Sequence, residues 1–439
     1  MRHFFPEFPK WLDDLPDHRD PIRIVYHKRF LACWGISLFL FQLGSRRQLD
    51  FDLRDPELQV LPNLNRLAGT SQETCPVHNT LNYLLAHPEF PYALSQLRRK
   101  MMHRLIRMKY LQEFRLLGHY VFAVDGSGWL YYRERHCAYC LSQKHGDTTI
   151  YLHQALEAKL LGAEGIALSM GTAFIENADA PTAPCAAADF KQDCELKAFS
   201  RLAVDLHTDF PQLKLCVTGD ALYACGRTLA ICQQYDWAYV LTFKEGSLPA
   251  VWRDVQELLK LCPENRLEHW AGDVRQVYRW VLDVSYTDDQ QRTWRFNALF
   301  CEETKNGETT NFAWITNLPL TPTTVVEVAE KGGRARWNIE NAGFNRQKNS
   351  GLQLEHAFSQ DPNKQKAYYY LLQIAHIILI LLEKGKWLRQ VAAATGKTVL
   401  QLFGSLKNIA RRLLESIRYC LWEDDPLTEA AEPLTVDTS

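Results

Sequence analysis

Residues His119–Asp125 read HYVFAVD, followed at Gly126–Gly128 by Gly-Ser-Gly. A short apolar run that ends in an acid and a glycine-rich turn is the mark of a buried strand delivering a carboxylate to a sheet end. Downstream, YLHQALEAKLL and IALSMGTAFI (Tyr151–Ile175), split by GAEG, read as paired strands. Asp189–Phe210 has amphipathic helical spacing with an Asp as a candidate cap. LKLCVTGD (Leu213–Asp220) is a fourth strand ending in an acid, RTLAICQQYD a helix, and WAYVLTFK (Trp237–Lys244) a fifth strand.

The order is three strands in a meander, then helix, strand, helix, strand. Right-handed crossovers turn that order into a mixed α/β sheet with helices on both faces. It is the element order of the RNase H-like fold. The regions on either side are organised differently. Residues 1–118 are expected to be helical, and 119–264 form the first part of the core. Residues 265–318, rich in Val, Tyr, Trp and Phe with an Asn306-Gly307 turn, form a β-rich insertion. Residues 319–390 complete the core, 391–422 are helical, and 423–439 form a disordered acidic tail.

Charge is unevenly spread. The chain has 50 Lys and Arg against 51 Asp and Glu. Yet Lys331–Leu413 holds 14 basic residues against 4 acidic, and the stretch to Gly118 holds 17 against 12. Two basic regions flank an acidic middle, a distribution suited to a polyanion. The twelve cysteines lie mostly in apolar runs, as expected of thiols in a reducing cytoplasm. No secretory signal opens the chain, and Leu371–Leu382 is too short to span a bilayer, so no membrane association is expected.

The basic stretch RARWNIENAGFNRQKNSG (Arg334–Gly351) reads as a helix with a single acid, Glu340. At α-helical spacing Arg336, Glu340, Phe344 and Lys348 share a face, with Asn341 and Asn345 beside them, so the acid is expected to hold metal while Arg336, Lys348, Asn341 and Asn345 contact DNA phosphates. Asp125 and Asp220 end strands that can be neighbours, and a helix after the fifth strand can lay Glu340 across the same crevice. Three converging carboxylates repel one another unless divalent cations neutralise them, and paired hard cations suit phosphodiester chemistry.

FAVDGSG, VTGDALYA and RWNIENAGFNRQKNSGLQLEHAF resemble the three motifs of DDE transposases of bacterial insertion sequences, of the type with a β-rich insertion before the catalytic Glu. The resemblance runs from about His119 to Tyr370. It implies an RNase H-like core, two Mg²⁺ or Mn²⁺ ions, and Asp125, Asp220 and Glu340 as catalytic metal ligands. It also implies cutting at element ends and joining of the 3′-OH to target DNA. The partners would be terminal inverted repeats and target DNA, bound by a homodimer in the bacterial cytoplasm. A nuclease or a transposase-derived DNA-binding protein without strand transfer is the alternative. The family's Arg four residues before the Glu is matched by Arg336. Its Tyr seven before is replaced by Gly333, and its Lys seven after by Gln347, with Lys348 next. Insertions of this kind can supply a Trp that stacks on a flipped base, for which Trp270, Trp280, Trp294 and Trp314 are available.

Two further groups are singled out. Arg98, Arg99, Lys100, Arg104, Arg107 and Lys109 are candidates for binding element ends, or else the solvated face of an ordinary amphipathic helix. Cys137 and Cys140 form a CxxC, for which His136, His145, His153 and the distant Cys194 are available as zinc ligands. A zinc site of Cys137, Cys140, His153 and Cys194 is one reading of this single CxxC, and buried thiols or an exposed turn are the others.

Overall fold

A computed structural model describes residues 3–177 and 192–422. The acidic tail and the Asp189 start of the expected helix lie outside the described residues. The chain divides into two compact units, Lys109–Asn345, and the residues up to Met108 together with those from Arg346.

The first is a mixed α/β unit built on a ten-stranded sheet. Its strands are β1 (Tyr120–Tyr132), β2 (Leu141–His145), β3 (Thr148–Gly162), β4 (Ile166–Ile175), β5 (Leu215–Gly219), β6 (Ala238–Thr242), β7 (Arg266–Ala271), β8 (Val274–Thr287), β9 (Thr293–Lys305) and β10 (Glu308–Thr316). The sheet runs β2-β3-β1-β5-β6-β10-β9-β8-β7, with β4 also paired to β3. β1, β3 and β4 form an antiparallel meander, whereas β1, β5 and β6 run parallel. The parallel strands are joined by the helices Glu195–Asp209 and Gly226–Tyr235, as right-handed crossovers require. The β-rich segment is no separate body. β10 pairs antiparallel with β6, so the four later strands extend the same sheet.

Three readings of the sequence are corrected here. β1 does not end at Asp125 but continues through Gly-Ser-Gly to Tyr132, because the glycines make room for neighbours rather than a turn. A Cβ on Gly126 would lie 2.3 Å from Glu195 Oε1, and one on Gly128 2.2 Å from the Tyr131 hydroxyl. The helix after β4 begins at Glu195, and Cys194 occupies its N-cap without a side-chain cap bond. The expected 319–390 core segment divides at Asn345.

That division has a hydrophobic cause. In the second unit, the helix Pro362–Lys384 is buried along nearly its whole apolar run, Tyr368 to Leu381. It packs on the helices Lys28–Leu40 and Phe90–Arg107. Burying such a run stabilises by about 1.5–3 kcal/mol per large side chain, which binds this helix to its own unit. Asp361 caps it through the Lys364 N–H at 2.9 Å, with Pro362 in the first turn. The later helical stretch is broken at Gly404, φ +73°, into Val399–Phe403 and Leu406–Tyr419. No helix among the described residues is long and apolar enough to cross a membrane.

Candidate functional site

The two aspartates are brought together by register. Tyr120–Ala123 of β1 pair in parallel with Leu215–Thr218 of β5. Carried two residues beyond its last pair, that register sets Asp125 level with Asp220, just past the end of the parallel pairing. Asp220 then opens a short 3₁₀ turn, accepting the Leu222 N–H at 2.9 Å on Oδ1.

Glu340 arrives from a third element. Residues Ile339–Phe344 form a π-helical turn, and the Asn345 N–H donates to the Glu340 carbonyl. The turn packs on β1, β3 and β4. Ile339, Ala342 and Phe344 are its buried anchors, while Glu340 and Asn341 are exposed. The four-residue stripe expected of an α-helix therefore does not exist here. An i→i+5 turn advances each residue off the i+4 face, so Phe344 points into the core while Glu340 points out. Single π turns of this kind concentrate at functional sites.

A buried polar network seats the turn. Glu157 and Lys159 on β3 are both fully buried and ion-paired at 3.4 Å. Ser169 donates to Glu157 at 2.7 Å, and Thr172 donates to its other oxygen. The Lys159 ammonium sits 5.4 Å from the centre of the Phe344 ring. Its aliphatic stem runs under Gly343, where a Cβ would lie 2.8 Å from Cε. On the preceding turn, Gly333 rests on Trp314 of β10, where a Cβ would lie 2.3 Å from the indole Cε2.

The electrostatics centre on Asp125. Burial pushes its carboxyl up, as do Glu195, Asp220 and Glu340, and Arg336 only partly offsets them. The result is about 7. The Arg336 guanidinium stands 3.9 Å from Asp125 Oδ2 and lies 4.6 Å from the centre of the Trp337 ring.

Glu195 is the member that sequence reading missed. An acid in the first turn of a helix is ordinary, and only the position of that helix after the meander hints at more. Its Oε1 accepts Gln154 Nε2 at 2.8 Å and its Oε2 accepts the Tyr223 hydroxyl at 3.2 Å. Burial raises its carboxyl, aided by Asp220 and opposed by these donors. Trp337 was also missed. It is 52% exposed, one residue from Arg336.

Oxygen donors suit Mg²⁺ or Mn²⁺. A carboxyl held near 7 among three other acids, with one guanidinium at 3.9 Å, carries surplus negative charge that a divalent cation would relieve. Asp125, Asp220 and Glu340 do not offer ligand atoms all within 4.8 Å of one another. One Mg²⁺ shell spans about 4.2 Å at most between ligand atoms. As they stand, the three carboxylates are not gathered around a single shared ion.

The other expected contacts fare unevenly. Lys348 belongs to the other unit and pairs with Glu355 at 3.0 Å. Gln347 is fully buried, 2.8 Å from Gln373 Oε1 and 2.9 Å from His376 Nδ1, so it faces no phosphate. Asn345 is exposed. In the helix Phe90–Arg107, Arg98 is 5% exposed and lies over the Tyr370 ring at 5.1 Å, a core cation–π contact that removes it from any DNA face. Arg99 is held by Gln96 at 3.0 Å, Lys100 pairs with Asp14, Arg104 is half-buried, and Arg107 and Lys109 are exposed.

Among the tryptophans, Trp280 and Trp314 are core residues. Trp294 donates to Asp288 at 2.9 Å, and Trp270 is exposed.

Cys137, Cys140 and His153 form a cluster that can bind a metal. Cys194 does not join it. It is exposed at the helix N-cap, which holds its thiol outside the cluster. His136 stacks on Tyr132, and His145 is exposed at the end of β2.

No family model matches the chain, and no curated protein matches it.

Proposed function

We propose that the chain is a DNA transposase of the insertion-sequence type, cutting phosphodiesters at element ends and joining the 3′-OH to target DNA. The observation that carries this reading is the register that sets Asp125 level with Asp220 beside the Glu340 turn. The strand order supports it. β4-β3-β1-β5-β6, with the last three parallel, is the arrangement expected of an RNase H-like core.

Asp125, Asp220 and Glu340 would hold two Mg²⁺ or Mn²⁺ ions, which when bound activate the attacking hydroxyl and stabilise the leaving oxygen. The protein's own groups do the rest. Arg336 is anchored on Trp337 and Asp125, and would turn toward a phosphate once Asp125 is otherwise neutralised. Asn341 and Asn345 are exposed on the same and the following turn, within reach of backbone oxygens. Glu195, fixed by Tyr223 and Gln154, would hold the Asp125 backbone in register through the Gly126 contact. Terminal repeats and target DNA are the partners in this reading, bound by a homodimer because two ends must be held together.

The test is incubation of the full chain with the element's terminal repeats and Mg²⁺, resolving cleaved and joined strands. Asp125→Asn, Asp220→Asn and Glu340→Gln should each lower cleavage about a thousandfold or more, equivalent to about 4 kcal/mol of barrier, while DNA binding persists. Cleavage without joined product would favour a nuclease. A single variant that keeps near-normal cutting would remove that residue from the site.

A further inference from the structure

We propose that Cys137, Cys140 and His153 hold a structural Zn²⁺ that pins the loop between β1 and β2 onto β3. The proposal stands on its own geometry and does not rest on the transposase reading.

The three ligand atoms form a nearly equilateral triangle. Cys137 Sγ is 3.7 Å from Cys140 Sγ and 3.4 Å from His153 Nε2, and Cys140 Sγ is 3.5 Å from the same nitrogen. A tetrahedral zinc has Zn–S bonds of about 2.3 Å and Zn–N bonds of about 2.0–2.1 Å, which set edges of about 3.8 Å between sulfurs and about 3.5 Å between sulfur and nitrogen. All three edges match.

Two rival accounts fit less well. A disulfide needs sulfurs about 2.05 Å apart, and these are at nearly twice that distance. Nor does this CxxC open a helix, as redox pairs do. It closes a turn between strands, with the Cys140 N–H donating to the Cys137 carbonyl at 3.4 Å. Hydrogen bonding by the two thiols explains two edges, not three, because each S–H donates once. An imidazole nitrogen that accepts has a single lone pair, and here it faces two sulfurs at nearly equal distance. A central cation satisfies all three atoms at once.

The surroundings are built for it. Cys140 and His153 are each 2% exposed, so the donors sit inside the fold. The loop's carbonyls are tied from outside. Arg135 donates to the Cys137 and Ala138 carbonyls at 3.3 and 3.2 Å, and Asn177 Nδ2 donates to the Cys140 carbonyl at 3.0 Å. The His153 ring is flanked by Trp129 at 6.1 Å and Tyr132 at 6.0 Å between centroids, which fixes its plane. Thiolate and imidazole donors select zinc over the hard cations that suit the acid cluster.

His153 stands opposite Leu130 in the β1–β3 pairing, five residues along β1 from Asp125. At about 3.3 Å per residue the two metal positions are separated by roughly 16 Å, too far to share an ion. The zinc is therefore a clasp on the far end of the strand pair that carries Asp125. The described residues supply three of its four ligands.

The test uses the full chain, expressed with zinc and exchanged into metal-free buffer. Elemental analysis should find stoichiometric zinc. Replacement with Co²⁺ should give the intense visible bands of a tetrahedral site and a thiolate-to-cobalt charge-transfer band. Cys137→Ser with Cys140→Ser should abolish both, whereas Cys194→Ser should change neither. If the double variant fails to fold, the wild-type cobalt spectrum decides alone. Folded wild-type protein that carries no zinc and shows no thiolate-to-cobalt band would overturn the proposal. So would zinc retained by a folded double variant.

Discussion

The Arg336 guanidinium stands 3.9 Å from the Asp125 carboxylate and lowers that carboxyl's proton affinity against burial and the acids around it. Without a metal, it is the main counterweight to Glu195, Asp220 and Glu340. Arg336→Gln should therefore raise the Asp125 proton affinity further. Mn²⁺ binding, followed by calorimetry across pH, should shift its midpoint upward in the variant. Under the proposed function, the loss of a phosphate contact should also make the salt dependence of DNA binding shallower by about one log–log unit. A downward shift in the Mn²⁺ midpoint would remove Arg336 from this role.

Asp125 also makes stability depend on pH. Its carboxyl rises from an ordinary 3.8 to about 7 on folding, so the native state holds a proton that the unfolded chain has released. The stabilisation is fully present below pH 3.8 and is lost as pH rises through about 7. Metal-free protein should thus melt at a lower temperature near pH 8.5 than near pH 6, and Asp125→Asn should flatten part of that drop. Mn²⁺ should restore the wild-type melting temperature at the higher pH but not that of the variant. Identical pH profiles for the two proteins would show that Asp125 is not the titrating group.

Gly126 and Glu195 occupy one volume. A methyl group at Gly126 would lie 2.3 Å from Glu195 Oε1 and 2.8 Å from Gln154 Nε2. Gly126→Ala should cost about 1–3 kcal/mol, as overpacking does. Glu195→Ala opens the space, so the double variant should be more stable than the sum of the two single changes implies. Strict additivity in chemical denaturation would mean that the two do not touch in solution.

Trp337 carries the Arg336 guanidinium 4.6 Å from its ring centre and leaves the rest of the indole open. At 52% exposure it contributes little to folding, so Trp337→Ala should leave the melting temperature nearly unchanged. If the indole stacks on a base, the substitution should weaken binding to DNA with unpaired bases near the cut by about 1–3 kcal/mol. Equal loss on fully paired and unpaired substrates would count against stacking.

The strand order was legible because each core strand is a compact apolar run bounded by turn residues, and the acids at 125 and 220 follow from it. The length of β1 was not. Gly-Ser-Gly is turn chemistry, and only Glu195 and Tyr131, distant or folded back, reveal that the glycines serve close packing instead. The π turn was equally hidden. Its residues carry helical periodicity, and the Lys159 stem that packs against Gly343 comes from β3, far back in the chain. Arg98 looked like its neighbours on a basic helix, and only Tyr370, far along the chain, shows that it faces inward. For the cysteine pair, spacing identified the loop but could not choose between His153 and Cys194.

The division of the chain at Met108 and Asn345 has a consequence for its birth on the ribosome. The helix Lys28–Leu40, buried from Phe30 to Phe39, packs on a partner that begins only at Pro362. At about 5–20 residues per second, tens of seconds separate the emergence of the two. Only late in that interval, once Asn345 has emerged, can the sheet unit close on itself, while throughout it an almost wholly apolar helix waits for its other half. Nascent chains halted before Lys384 should accordingly be the ones that chaperones hold and proteases clear.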